Sequence, residues 1–207
     1  MNNKTEIVYV VDDDEAVRDS LTWLLESNGY TVKCQPSAER FLQALQGESK
    51  ETVSCLILDV RMPGMSGLEL QERLLAEGIP MPISFITGHG DVSMAVSTMK
   101  KGAIDFIEKP FKESELKVLV EKMLTRARVD YAKADTQKNT QNLLSKLTGR
   151  EKQVLERIVA GRLNKQIADD LNISIKTVEA HRANIMEKLN VNTVVDLLRL
   201  ALSESNK

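Results

Sequence analysis

The chain has 207 residues, and its 28 Lys and Arg against 30 Asp and Glu leave a formal net charge of −2. At about 100 to 200 residues per domain this is one large domain or two small ones. No charged-then-apolar leader and no run of about 18 apolar residues occurs, which predicts a soluble cytoplasmic protein. The charge is uneven: residues 1–124 hold 13 basic and 20 acidic side chains, and residues 125–207 hold 15 and 10. That asymmetry predicts two domains with different partners, the basic one being the nucleic-acid candidate. Cys34 and Cys55 both lie in apolar, strand-like runs, so buried free thiols are expected and not a disulfide.

Ile7–Val11 is a β-rich run ending in Asp12, Asp13 and Asp14. Val17, Leu21, Leu24 and Leu25 then repeat at helical spacing, with Gly29 as the stop. Tyr30–Cys34 reads as a second strand, and Ser37 caps a helix carrying Phe41, Leu42 and Leu45. The alternation continues through Cys55–Leu58, Leu68–Leu75, Ile83–Ile86, Val92–Met99, Ile104–Ile107 and Leu116–Leu124. Five strands with intervening helices predict an α/β doubly wound, five-stranded parallel sheet.

The acidic half is organised around LILDVRMPGMSG, residues 56–67. Asp59 follows a buried apolar run and so falls at the carboxyl end of a strand, where open α/β sheets bind ligands. The alternative is a turn residue or a helix cap. Three further strand ends supply Asp12 and Asp13, Thr87, and Lys109 before Pro110. Converging carboxylates repel unless a cation sits among them, and an all-oxygen site suits Mg²⁺. Thr87 offers a hydroxyl and Lys109 a compact charge for a phosphoryl oxygen. The set meets the needs of phosphoryl transfer: an oxygen nucleophile, a metal and donors.

The segments VVDDDE (10–15), LDVRMPGMSG (58–67), ITGHGD (86–91) and GAIDFIEKPF (102–111) resemble the receiver domain of bacterial response regulators, a flavodoxin-like fold. The resemblance implies that Asp59 accepts a phosphoryl group, and that Asp12, Asp13, Asp59 and the carbonyl of Arg61 hold Mg²⁺. It further implies that Thr87 and Phe106 switch together, that Lys109 contacts the phosphate, and that the Lys109–Pro110 bond is cis. It leaves open whether Asp14 is a metal ligand or lies behind the ligands.

Residues 125–145 are rich in Lys, Gln, Asn and Asp and read as a linker, in part prolonging the last receiver helix. Residues 146–207 read as an all-α domain. Thr148 to Glu151 is a capping box opening a helix with Val154, Leu155, Ile158 and Val159. Asn164 caps a short helix with Ile167, Ala168 and Leu171, and Asn172–Ile173 turns the chain. Ser174 caps a third helix with Val178, Ile185, Met186 and Leu189 inward, and Val194–Leu202 forms a last one. Two short helices joined by a tight turn, the second polar and basic outside, suit a major-groove reader. The bland alternative is a helical bundle with solvated charges. Residues 147–189 resemble the LuxR-type helix-turn-helix, and nearly the whole chain resembles the NarL/FixJ class of response regulators. The resemblance places the recognition helix at 177–188. Lys165, Lys176, Thr177, Arg182 and Lys188 are then phosphate contacts, while Glu179, Ala180 and Ala183 face base edges. His181 contacts phosphate or packs internally.

The expected protein is a phosphorylation-activated transcription regulator and not an enzyme, beyond catalysing its own phosphorylation and slow dephosphorylation. Its expected partners are a cognate histidine kinase, double-stranded promoter DNA, RNA polymerase, and a second copy through the fourth-helix and fifth-strand face (91–107). One rival, an aspartyl-phosphate phosphatase, needs a carboxylate two residues after the nucleophile, where Arg61 stands. The other is an interaction protein whose last domain binds protein or RNA.

Overall fold

The computed structural model describes residues 5–47, 52–88 and 92–205, the side chains of 92–94 and 203–205 excepted. They fall into two compact units, Met1–Tyr131 and Ala132–Lys207.

In the first unit β1 (Glu6–Val11), β2 (Thr31–Gln35), β3 (Val53–Leu58), β4 (Ile83–Thr87) and β5 (Asp105–Glu108) form one parallel sheet in the order β2-β1-β3-β4-β5. The connecting helices are α1 (Glu15–Ser27), α2 (Ala38–Gln46), α3 (Gly67–Ala76) and α4 (Val92–Lys100), with α5 (Glu113–Ser145) following β5. The inner strands are apolar on both faces because helices cover both. Ile7, Tyr9, Val11, Leu56, Leu58 and Phe85 meet Phe41 of α2 and Leu70 and Leu74 of α3. Their neighbours Val8, Val10, Cys55, Ile57 and Ile86 meet Leu21 and Leu25 of α1 and Leu116, Val120 and Met123 of α5. Each fully buried side chain of this kind contributes about 1.5–3 kcal/mol. Tyr9 and Phe41 add an edge-to-face contact with ring centres 5.3 Å apart. Cys34 and Cys55 are free thiols, and burial pushes that of Cys55 up to about 12.

Strand register delivers the functional residues. Val11 lies opposite Leu58, so Asp12 and Asp59 emerge beside each other, and the Asp59 N–H donates to the Val11 carbonyl at 2.8 Å. Thr87 lies opposite Glu108, so Lys109 follows immediately, its N–H donating to the Thr87 carbonyl at 2.8 Å. The Lys109–Pro110 bond is cis.

Residues 125–145, whose composition marks a linker, are helical throughout as the second part of α5. Residues 132–139 are all exposed, which is why they carry no apolar signal in the sequence. The second unit holds α6 (Gly149–Val159), α7 (Asn164–Leu171), α8 (Ile175–Leu189) and α9 (Val194–Ser205). Val154, Leu155, Ile158, Ile167, Val178, Ile185, Leu189 and Leu197 make its core. The Thr148–Glu151 capping box is formed, and the Ser174 hydroxyl accepts from Thr177 N–H at 3.0 Å. Asn164 does not cap α7: it is already helical, and Leu163 holds the cap position while Gln166 Oε1 accepts the Leu163 N–H at 2.9 Å. A glutamine one turn inside has replaced the capping side chain. Asn172 and Asn190 close α7 and α8 at φ +53°, a left-handed conformation that asparagine tolerates better than most residues.

Candidate functional site

At the carboxyl ends of β1, β3 and β5 an ion triad is enclosed. Lys109 Nζ lies 2.7 Å from Asp12 Oδ2 and 3.2 Å from Asp59 Oδ1, and both aspartates are buried. The remaining oxygens are also engaged: Asp12 Oδ1 accepts the Asp14 N–H at 2.9 Å, and Asp59 Oδ2 accepts the Arg61 N–H at 2.7 Å. Burial pushes the Asp59 carboxyl above the ordinary aspartate range, and the Asp12 charge adds to this. The Arg61 N–H and Lys109 pull the other way without cancelling it. For Lys109 burial opposes the charge, but the bonds to Asp12 and the charges of both aspartates outweigh it and hold its pKa above the usual lysine value.

Thr87 is buried at the tip of β4, and Phe106 of β5 is half-buried against the cluster that contains Phe85. Arg61 and Asp13 are exposed. The fold thus gathers Asp12, Asp59 and Lys109 into direct contact, with Thr87 tied to Lys109 through the main chain. The expected group of three carboxylates is not gathered: among the described residues no cluster of three or more His, Cys, Asp or Glu could hold a metal ion. Asp12 and Asp59 are bridged by Lys109, and Asp13 stays in solvent. The carboxylate oxygens of Asp12 and Asp59 still suit a hard divalent cation, because carboxylates outnumber ammonium groups here. His89, Gly90 and Asp91 of the ITGHGD motif, and with Asp91 the start of the 91–107 face, lie outside the described residues.

Three residues support the site, of which Asp14 was left open by the sequence and the contacts of Arg18 and Gly67 were not foreseen. Asp14 caps α1, accepting the Ala16 N–H at 2.9 Å, so its carboxylate serves the helix beside the site. Arg18 Nη1 donates to the Asp12 carbonyl at 2.7 Å and fixes that peptide. At Gly67 a Cβ would lie 2.1 Å from the Asp59 carbonyl oxygen, so only glycine lets α3 start against Asp59. GMSG in the sequence signals a turn but not this approach.

In the second unit α7 and α8, joined through Asn172–Ser174, form a helix-turn-helix. Lys165, Lys176, Glu179, Ala180 and Ala183 are exposed, and Thr177, His181 and Arg182 are half-buried. Lys188 departs from the expected set. Its Nζ lies 2.7 Å and 2.9 Å from the two oxygens of buried Glu151, the residue that also closes the α6 capping box. The Lys188 bond, helped by the Thr148 N–H, holds the Glu151 carboxyl at about 2. Lys188 therefore ties α8 to α6 and has its charge matched inside the domain. Arg150 donates to the Leu171 carbonyl at the end of α7, another internal use of a basic side chain.

Fold and site define a response regulator, a receiver followed by a helix-turn-helix. The response regulator receiver domain family matches residues 8–121, and the family of bacterial regulatory proteins of the luxR type matches residues 145–201. The chain belongs to the NarL/FixJ class of two-component response regulators: transcription regulators that take their input from a histidine kinase and bind DNA. The chain is 43% identical over 195 residues to the transcriptional regulatory protein FixJ of Bradyrhizobium diazoefficiens, covering 94% of each. It is 44% identical over 200 residues to the response regulator protein TmoT of Ectopseudomonas mendocina, covering 97% of this chain and 90% of that one. Among solved structures the response regulator StyR matches with a TM-score of 0.83 at 46% identity, over 95% of this chain and 98% of that one. Among the described residues no helix is long and apolar enough to cross a membrane.

Proposed function

We propose that Asp59 takes a phosphoryl group from the phosphohistidine of a cognate kinase, and that this drives receiver pairing and promoter binding. A carboxylate oxygen of Asp59 bonds to phosphorus as the P–N bond breaks, and its electron pair leaves with the imidazole, which takes up a proton. The observation that carries this reading is the buried Asp12–Lys109–Asp59 triad at the strand tips. Lys109 already touches the acceptor and meets an incoming equatorial oxygen without travelling far. Asp12, Asp13, Asp59 and the Arg61 carbonyl are the residues to hold Mg²⁺, which when bound neutralises charge on the phosphoryl oxygens.

The new charge on Asp59 draws on Lys109 and the Thr87 hydroxyl, and Phe106 follows Thr87. This biases the face built from α4 and β5 (91–107), where Val96 and Met99 are exposed, toward pairing with a second receiver. Receiver (1–124), helical link (125–145) and DNA-binding domain (146–207) then act as one regulator in the cytoplasm. Two α8 helices meet adjacent half-sites of promoter DNA, with RNA polymerase as the further partner. Lys165, Lys176, Thr177 and Arg182 contact phosphates, and Glu179, Ala180 and Ala183 face bases.

The test is incubation of the full chain with acetyl phosphate and Mg²⁺, followed by intact-mass measurement. One added phosphoryl group in the wild type and none in Asp59→Asn supports the assignment. Equal labelling of both, or of neither, contradicts it.

A further inference from the structure

The loop that follows Asp59 carries both main-chain groups on which the acceptor depends: the Arg61 N–H that meets Asp59 Oδ2, and the Arg61 carbonyl assigned above to the metal. Its far end is fixed by α3, where the Gly67 N–H donates to the Val60 carbonyl at 3.0 Å and the Ser66–Glu69 capping box closes the first turn. Between these ends, Pro63, Gly64 and Met65 have no strand or helix to hold them. They are held from elsewhere. Glu39, in the first turn of α2 and 26 residues away in sequence, accepts the Met65 N–H on Oε1 at 2.9 Å.

A second observation makes this more than a chance contact. Gly64 adopts φ +78°, and a Cβ built there would lie 2.8 Å from the same Glu39 Oε1. The loop backbone thus turns through a left-handed residue directly against the carboxylate, and any larger residue would push the two apart. The bond to Met65 also holds the Glu39 carboxyl below the usual glutamate range, so it is ionised at neutral pH and the bond is charge-assisted.

We propose that Glu39 is a positioning residue for the phosphoacceptor: its carboxylate latches the loop after Asp59 in the shape that presents the Arg61 main chain to Asp59 and to the metal. The inference rests on the function proposed above, and it adds a residue on a different helix that touches neither Asp59 nor the phosphoryl group. The substitution Glu39→Gln keeps an acceptor oxygen at this place and Glu39→Ala does not, so the conservative change separates the bond from the charge.

The experiment uses the full chain as wild type, Glu39→Ala and Glu39→Gln. Amide exchange at Met65 is read by NMR, Mg²⁺ affinity by calorimetry, and phosphorylation by acetyl phosphate at low and saturating Mg²⁺. In Glu39→Ala the Met65 amide exchanges about tenfold faster, and Mg²⁺ binding weakens by about tenfold, as expected when a group supporting a ligand is lost. Saturating Mg²⁺ restores most of the phosphorylation rate, and Glu39→Gln recovers most of both losses. Met65 exchange and Mg²⁺ affinity within about twofold of wild type in Glu39→Ala overturn the latch. So does a Glu39→Gln variant as impaired as Glu39→Ala. Failure of the wild type to acquire phosphate at Asp59 instead breaks the functional reading, while the exchange and Mg²⁺ measurements still judge the latch.

Discussion

In the receiver unit the functional charges lie at the ends of buried strands: Asp12 and Asp59 are 3% and 7% exposed, and Lys109 bridges them. On the helix-turn-helix, Lys165, Lys176 and Glu179 stand in solvent, and Lys188, which pairs with buried Glu151, serves packing. On the function proposed above, the difference follows from what each region would recognise. A phosphoryl group is small and is handled by a few preorganised groups in a low-dielectric pocket, where each contact is strong. A DNA backbone is a long polyanion met by dispersed charges in water, each weak and sensitive to salt. A substitution in the first region should therefore act on geometry and stability, and in the second on affinity and its salt dependence.

The largest expected effect is at Gly67. Gly67→Ala sets a Cβ against the Asp59 carbonyl oxygen, backbone that cannot yield cheaply, and is expected to cost more than about 3 kcal/mol in urea unfolding. A loss under about 1 kcal/mol would mean that α3 and the end of β3 are loosely joined. Next comes Lys188→Met, which leaves buried Glu151 without its cation, held by Thr148, and is expected to cost about 1–3 kcal/mol. Because the Glu151 pKa falls from 4.5 to about 2, its stabilising share is complete above about pH 4.5 and fades as pH drops toward 2. The penalty of Lys188→Met should shrink over that same window.

A smaller effect of opposite sign is expected at Asp59. Burial raises its pKa, so the ionised side chain opposes folding above that pKa, and the opposition disappears as pH falls through it. In metal-free buffer Asp59→Asn should stabilise the receiver at pH 7, with the gain vanishing in acid. Destabilisation at pH 7 would show that Lys109 matters more to the folded state than burial does. The smallest is Arg182→Ala, which should weaken binding to all duplex sequences alike and lower the slope of log K against log salt by about one. A sequence-selective loss would move Arg182 from the phosphates to the bases.

These contrasts also explain what could be read from the sequence. The sheet was legible because the inner strands are apolar runs, and the triad because Asp12, Asp59 and Lys109 directly follow such runs. The Glu151–Lys188 pair was not, since it joins residues 37 apart across two helices, and either charge alone resembles a solvated one. Glu39 was hidden in the same way, as an acidic residue in a first helical turn whose partner is a main-chain N–H in another loop. The helix over 125–145 was expected only in part because residues 132–139 are all exposed and carry no apolar period. Asn164 lies one residue inside the helix it was expected to cap, Leu163 holding the cap position with its N–H bonded to Gln166. Sequence pattern records burial well and pairwise geometry poorly.

The most direct test of the central claim is sedimentation of the full chain with Mg²⁺, with and without beryllofluoride as a phosphoryl mimic, for wild type and Asp59→Asn. The account predicts a shift to dimer in the wild type with the mimic, and none in the variant. A wild type that stays monomeric with the mimic bound, or a variant that dimerises equally, would contradict the link from Asp59 to assembly.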